Sequence, residues 1–99
     1  MNDQSIRRRS RLLTEAEGYL ALGMYPQALA ALEAIPDPTG AEFEIYFQRG
    51  DILRHQEQHA QALVWLQRAC DLKPNNVDLL MAMAWCYKRT AQLPRAITS

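Results

Sequence analysis

The sequence predicts an all-α protein built as a stack of antiparallel helix pairs, and three observations carry that prediction. The first is a period of 34 residues: Ala28, Ala62 and Ala96 stand at that spacing. Leu12, Tyr46 and Leu80 keep step with them, as do Ala16, Gly50 and Ala84, then Tyr19, Leu53 and Tyr87, and finally Leu29, Leu63 and Ile97. A fixed period of this length marks an architecture in which each unit buries its apolar face by stacking on the next. The second is punctuation: glycine and proline cut the chain into helix-length pieces with apolar residues at i, i+3, i+4 and i+7. The third is that no segment alternates with period two over any length, so no sheet is expected.

The first helix is expected from about Ser5 to Leu22, with Leu12, Leu13, Ala16, Tyr19 and Leu20 on one stripe and Gly23 as its stop. Pro26 then sits at a first helical position, where a missing N–H costs nothing. Residues 26–35 carry Ala28, Leu29, Leu32 and Ile35, and Pro36 and Pro38 close that helix. Thr39 and Glu42 have capping-box spacing at the head of a third helix reaching about His55. Its partner spans about His59 to Leu72 and ends before Pro74. Asn75 and Asn76 offer turn and cap chemistry for a fifth helix to about Thr90. Pro94 repeats the role of Pro26 and opens a stub of five further residues.

Composition limits what this chain does. Its 99 residues make one small domain, and eleven Lys and Arg balance eleven Asp and Glu. No net field therefore favours nucleic acid or an acidic membrane. No apolar run is long enough to span a bilayer, and no signal peptide follows Arg7, Arg8 and Arg9. Cys70 and Cys86 fall inside helical patterns and read as reduced thiols, which points to the cytoplasm. His55 and His59 have the i, i+4 spacing of a metal pair, but Glu57 and Gln58 lie at a turn between them, and no further ligand completes a site. No catalytic, metal or cofactor constellation is expected. The arginine cluster at 7–11 lacks interleaved aromatics and reads as a solvated helical turn.

Taken from Phe43, the second copy places Tyr46, Gly50, Ala62, Leu66, Ala69 and Pro74 on six signature positions of the tetratricopeptide repeat, which the chain resembles. The resemblance covers residues 9–99, in repeats of about 9–42, 43–76 and an incomplete 77–99, with residues 1–8 as a flank. It implies a right-handed α-solenoid. The first copy departs at Ile35 and Gly40, and the position usually held by leucine is Glu15 in the first copy and Arg49 in the second. An ion pair between Glu15 and Arg49 is one expectation; two side chains reaching out to water is the other.

The resemblance also implies a function: a non-enzymatic module whose concave face, lined by the first helix of each pair, binds a protein or peptide. Carried over by position, the lining is Ser10, Leu13, Glu17, Leu20 and Ala21 in the first copy. Glu44, Phe47, Asp51, Arg54 and His55 follow in the second, and Asp78, Met81, Trp85, Lys88 and Arg89 in the third. Leu13, Leu20, Phe47, Met81 and Trp85 are expected as exposed apolar groups, with Phe47 and Trp85 as anchors or else as core. Acids lie toward the helix starts and bases toward the ends, an order that the helix dipole also favours.

Relatives that hold the acidic C-terminal tails of chaperones use basic and amide side chains. The matching positions here are Leu13, Glu17, Gln48, Asp78 and Ala82, so no affinity for such tails is expected. Finally, the fifth helix presents Leu80, Met83, Ala84 and Tyr87 with little sequence left to cover them. A fragment of a longer array, a homo-oligomer through that open end, or cover by another protein are the alternatives. A secretion-type chaperone and the N-terminal repeat domain of a longer protein or enzyme remain variants.

Overall fold

The computed structural model describes residues 3–98, with side chains over residues 4–90. Five helices follow one another: α1 (Asp3–Ala21), α2 (Tyr25–Glu33), α3 (Glu42–His55), α4 (His59–Leu72) and α5 (Val77–Thr98). Among the described residues there is no strand. The α1–α2 and α3–α4 hairpins are built alike, and α5 packs mainly on α4. The architecture is an all-α helical-repeat solenoid.

The two hairpin turns are copies of each other at the level of single hydrogen bonds. Gly23 ends α1 at φ +75°, and Glu57, one period later, follows α3 at φ +63°. Met24 N donates to Tyr19 O at 2.8 Å, and Gln58 N donates to Leu53 O at 2.9 Å. Gly23 N to Leu20 O and Glu57 N to Arg54 O complete the pattern, both at 3.0 Å. This left-handed stop satisfies carbonyls that the last helical turn leaves open. Glycine adopts that conformation freely; glutamate does so at a cost of about 1 kcal/mol, which the burial of α4 against α3 offsets.

The third copy departs from the expected stub. Its equivalent residue is Ala91, and the backbone does not turn there: α5 continues through Pro94 to Thr98. Alanine is the strongest helix former, so position 91 favours continued helix over a left-handed turn. The periodic positions Ala96 and Ile97 lie outside the described side chains.

Small residues set the packing. Ala16, Ala28, Ala62 and Ala69 are fully buried, as are Ile52, Leu66, Leu79 and Cys86. One apolar cluster joins α1 and α2 to Ile45 and Ile52 of α3. A second joins Leu53 to α4 and α5. Leu29 and Tyr46 touch both, so α3 is the shared wall of the two clusters. Met83 belongs to the second cluster and is 7% exposed, which corrects its assignment to the open face of α5.

Two local expectations change for physical reasons. Thr39 does not cap α3: its N–H and hydroxyl both donate to Asp37 Oδ1, at 3.0 and 2.7 Å. Those bonds hold the Asp37 carboxyl below its ordinary range, the side-chain bond first. Ala41 is the N-cap residue, and Glu42 reaches back to Gly40 N at 2.8 Å instead. Asn76 does act as a cap, its Oδ1 accepting from Leu79 N at 2.9 Å.

Arg49 pairs with Glu33 at 3.3 Å, not with Glu15, which is exposed. Its guanidinium stands 4.6 Å from the centre of the Trp65 ring, and its Nε is buried without a partner among the described residues. Arg49 therefore neither pairs across α1 nor reaches freely into water. A partly exposed ion pair contributes about 0–1 kcal/mol and an exposed cation–π contact about 0.5–1 kcal/mol. A buried, unbonded N–H costs about 1–3 kcal/mol. Arg49→Leu is thus expected to leave stability unchanged or raise it by about 1 kcal/mol in urea unfolding. A loss of more than about 2 kcal/mol would show that the Glu33 and Trp65 contacts outweigh the stranded N–H.

Candidate functional site

The side chains at issue lie on α1, α3 and α5, the first helices of the three copies. On α5, Asp78, Met81, Ala82 and Trp85 follow at i, i+3, i+4 and i+7, which aligns them on one face over two turns. On α3, Phe47, Asp51 and Arg54 do the same. These seven residues line one pocket of about 350 Å³ between α3 and α5. Six of them are groove residues expected from the sequence. Ala82, the seventh, is the small residue that gives the pocket its floor, and it is 7% exposed.

A second, broader hollow of about 620 Å³ lies between α1 and α3, lined by Glu17, Leu20, Ala21, Leu22, Gly23, Tyr25, Asp51 and His55. Asp51 lines both hollows, so the two lie side by side across α1, α3 and α5. Leu22, Gly23 and Tyr25 enter from the α1–α2 turn. The turn chemistry alone foretold a stop there, and only the packed hairpin shows that it borders the groove.

Exposure separates the expected anchors. Met81 is 67% and Trp85 44% exposed. Leu13, Leu20 and Phe47 are partly buried instead. Leu13 and Leu20 pack on the first cluster. Phe47 packs on the second and meets Phe43 edge-on, ring centres 5.7 Å apart. The expectation of five exposed apolar groups is thereby corrected to two, because helical neighbours already cover the other three. Ser10 and Leu13 lie on α1 beyond both hollows.

Polar groups cross-link the groove floor. Arg54 donates to Asp51 Oδ1 from Nε at 3.0 Å and from NH2 at 2.5 Å, with both side chains about one quarter exposed. His55 Nδ1 lies 2.8 Å from Asp51 O, one turn back on its own helix. Gln48 Nε2 donates to Glu17 Oε1 at 3.4 Å and bridges α1 to α3. Arg89 stands 4.3 Å over the Trp85 ring. Glu44 has Lys73 at 3.9 Å, both near half exposed. Asp78, Lys88 and Arg89 are exposed, and Asp78 has no ionic partner among the described residues.

Histidine and cysteine chemistry does not converge here. His55 ends α3 and His59 begins α4 across the left-handed turn, so they do not share a helix face. Among the described residues no three His, Cys, Asp or Glu side chains are placed to hold a metal ion. Cys70 and Cys86 are free, and burial pushes the Cys86 thiol up. Of the four N-terminal arginines, Arg9 is taken into the fold, its NH1 donating to Thr39 O in the α2–α3 loop.

No curated protein and no solved structure matches the chain. The family described as TPR repeat does, over residues 44–90, from inside α3 to inside α5. Within that stretch Gly50, Ala62, Leu66 and Ala69 close one helix pair, and Leu79 and Cys86 dock the next helix on it. Residues 44–90 are thereby identified as tetratricopeptide repeat.

Proposed function

We propose that the groove across α1, α3 and α5 is the working surface of a non-catalytic module that binds a peptide or helix of another protein. Repeats of this family generally mediate protein–protein interaction. The observation carrying the proposal is the exposed pair Met81 and Trp85 beside the 350 Å³ pocket. Large apolar groups left in water beside a concavity, with a polar rim, are what binding anchors look like. The two free thiols agree with a cytoplasmic setting. Among the described residues no helix is long and apolar enough to cross a membrane.

The same geometry argues against acidic chaperone tails as the ligand. Of the five positions that would form the clamp, Glu17 is tied to Gln48 and Asp78 stands unpaired. Two carboxylates in the clamp would repel the tail.

A second reading has its own observation. Leu80 and Tyr87 are 43% and 52% exposed, whereas Leu12 and Leu53, at the corresponding positions, are each 8% exposed beneath α2 and α4. An uncovered face of this kind favours assembly through α5, with another copy or another helix as cover.

One experiment separates the readings. Met81→Ser with Trp85→Ala leaves the packed Phe47 untouched, so the fold should survive. The expected result is at least about tenfold weaker capture of the partner in a pull-down, with unchanged molar mass by light scattering. A change in molar mass with partner capture intact would move the function to the α5 face.

A further inference from the structure

The charges of the pocket between α3 and α5 carry an inference about what enters it, and this inference rests on the groove being a peptide site. Asp51 and Arg54 satisfy each other at 2.5 Å and offer no net charge to a visitor. Asp78, in the first turn of α5 where the helix dipole favours an acid, is then the one charge on the lining without an ion-pair partner among the described residues. It stands on the same α5 face as Met81 and Trp85, about 10 Å from Trp85 along the helix axis at 1.5 Å per residue. An extended lysine or arginine side chain spans most of that distance. Its methylene stem has the exposed Met81 to lie on, and its head then reaches a carboxylate.

The rest of the groove orients such a visitor. Glu44, one turn before Phe47, is answered only loosely by Lys73, at 3.9 Å with both side chains near half exposed, so this end of the groove carries Asp78 as its net charge. At the other end Arg89 already lies over the Trp85 ring at 4.3 Å, and Lys88 beside it is exposed. Cationic groups of a partner are thus drawn toward the starts of α3 and α5 and repelled from their ends. We propose that this pocket takes an apolar residue of a partner peptide together with a neighbouring lysine or arginine, whose head group sits at Asp78. The partner segment is basic and apolar, not acidic.

The test uses the whole chain against an array of twelve-residue peptides. Each combines two apolar residues with arginine, lysine, glutamate or glutamine. The bound set is expected to favour arginine and lysine over glutamate by at least about tenfold, and to lose that preference in rising salt. Asp78→Asn should weaken the cationic set about three- to tenfold, and Asp78→Lys should turn the preference toward glutamate. Asn76 and its bond to Leu79 remain in both variants, and circular dichroism checks that α5 persists. Binding without charge preference, or with preference for glutamate, that Trp85→Ala abolishes would overturn this inference and leave the peptide groove standing. No bound peptide, or binding indifferent to Trp85→Ala, would overturn both.

Discussion

Replacing Gly50 with valine is expected to lower stability by about 3 kcal/mol, on the order of 15 °C in melting temperature for a domain of this size. Gly50 is where α3 and α4 come closest. A Cβ there would stand 2.6 Å from Leu66 Cγ and 2.7 Å from Cδ2, inside any real contact distance. Leu66 cannot swing aside cheaply, because it is fully buried. The Ala62 carbonyl, 3.1 Å away, is backbone and moves only if α4 moves. Relief therefore separates the two helices and opens the second apolar cluster. Helix propensity works the other way: any side chain gains a few tenths to about 1 kcal/mol over glycine in a helix interior. Gly18 isolates that opposing effect. It too lies inside a helix, and nothing stands within 4 Å of its added Cβ. Gly18→Ala should stabilise by about 0.5–1 kcal/mol, while Gly50→Val destabilises. Thermal melts of both variants check the contrast. A Gly50→Val protein melting within about 2 °C of the parent would show that the pair is not held at the separation described.

The sequence made the close approach visible because small residues are cheap to recognise when they recur. Ala16, Gly50 and Ala84 mark the same position on three helices, and Ala28 and Ala62 mark the facing one. A period in small residues reports geometry directly, since only a close crossing forbids anything larger. The groove followed from the same register: once core positions are numbered, the remaining face of α1, α3 and α5 is assigned. What the register leaves open is how far neighbours cover that face. Phe47 and Trp85 stand one period and four residues apart, yet Phe47 leans on Phe43 while Trp85, 44% exposed, carries Arg89 over its ring.

Long polar side chains were the least legible. Arg49 has several partners within reach, and its choice of Glu33 and Trp65 depends on how α2, α3 and α4 meet. Thr39 likewise has two local acceptor schemes, and the Asx-type turn at Asp37 wins over the helix cap. At α5 the competition is between a left-handed turn and continued helix. Glycine at 23 and glutamate at 57 both take the turn, while alanine at 91 stays in helix, so residue type alone does not decide it. Each of these is a choice between near-equal local arrangements settled by packing from elsewhere.

Ile52 tests how the two halves of the stack depend on each other. It is fully buried and belongs to the cluster under α1 and α2, whereas its neighbour Leu53 belongs to the cluster with α4 and α5. One turn of α3 thus faces both ways. Ile52→Ala removes side-chain volume only from the first cluster and is expected to cost about 2–5 kcal/mol. In a stack where each unit touches only its neighbours, stability is a sum of unit and interface contributions. The loss therefore falls on the interface between the first pair and the second. Amide hydrogen exchange should accelerate in α1 and α2 well before it does in α4, and denaturation followed in the two halves should cease to coincide. Tyr46 and Leu29, which touch both clusters, limit the separation and keep α3 itself protected longest. Uniform acceleration across all five helices would mean that the two clusters unfold as one core, and that the repeat boundary carries no separate interface energy. Protection lost first in α4 and α5 would place the weak interface on the other side of α3.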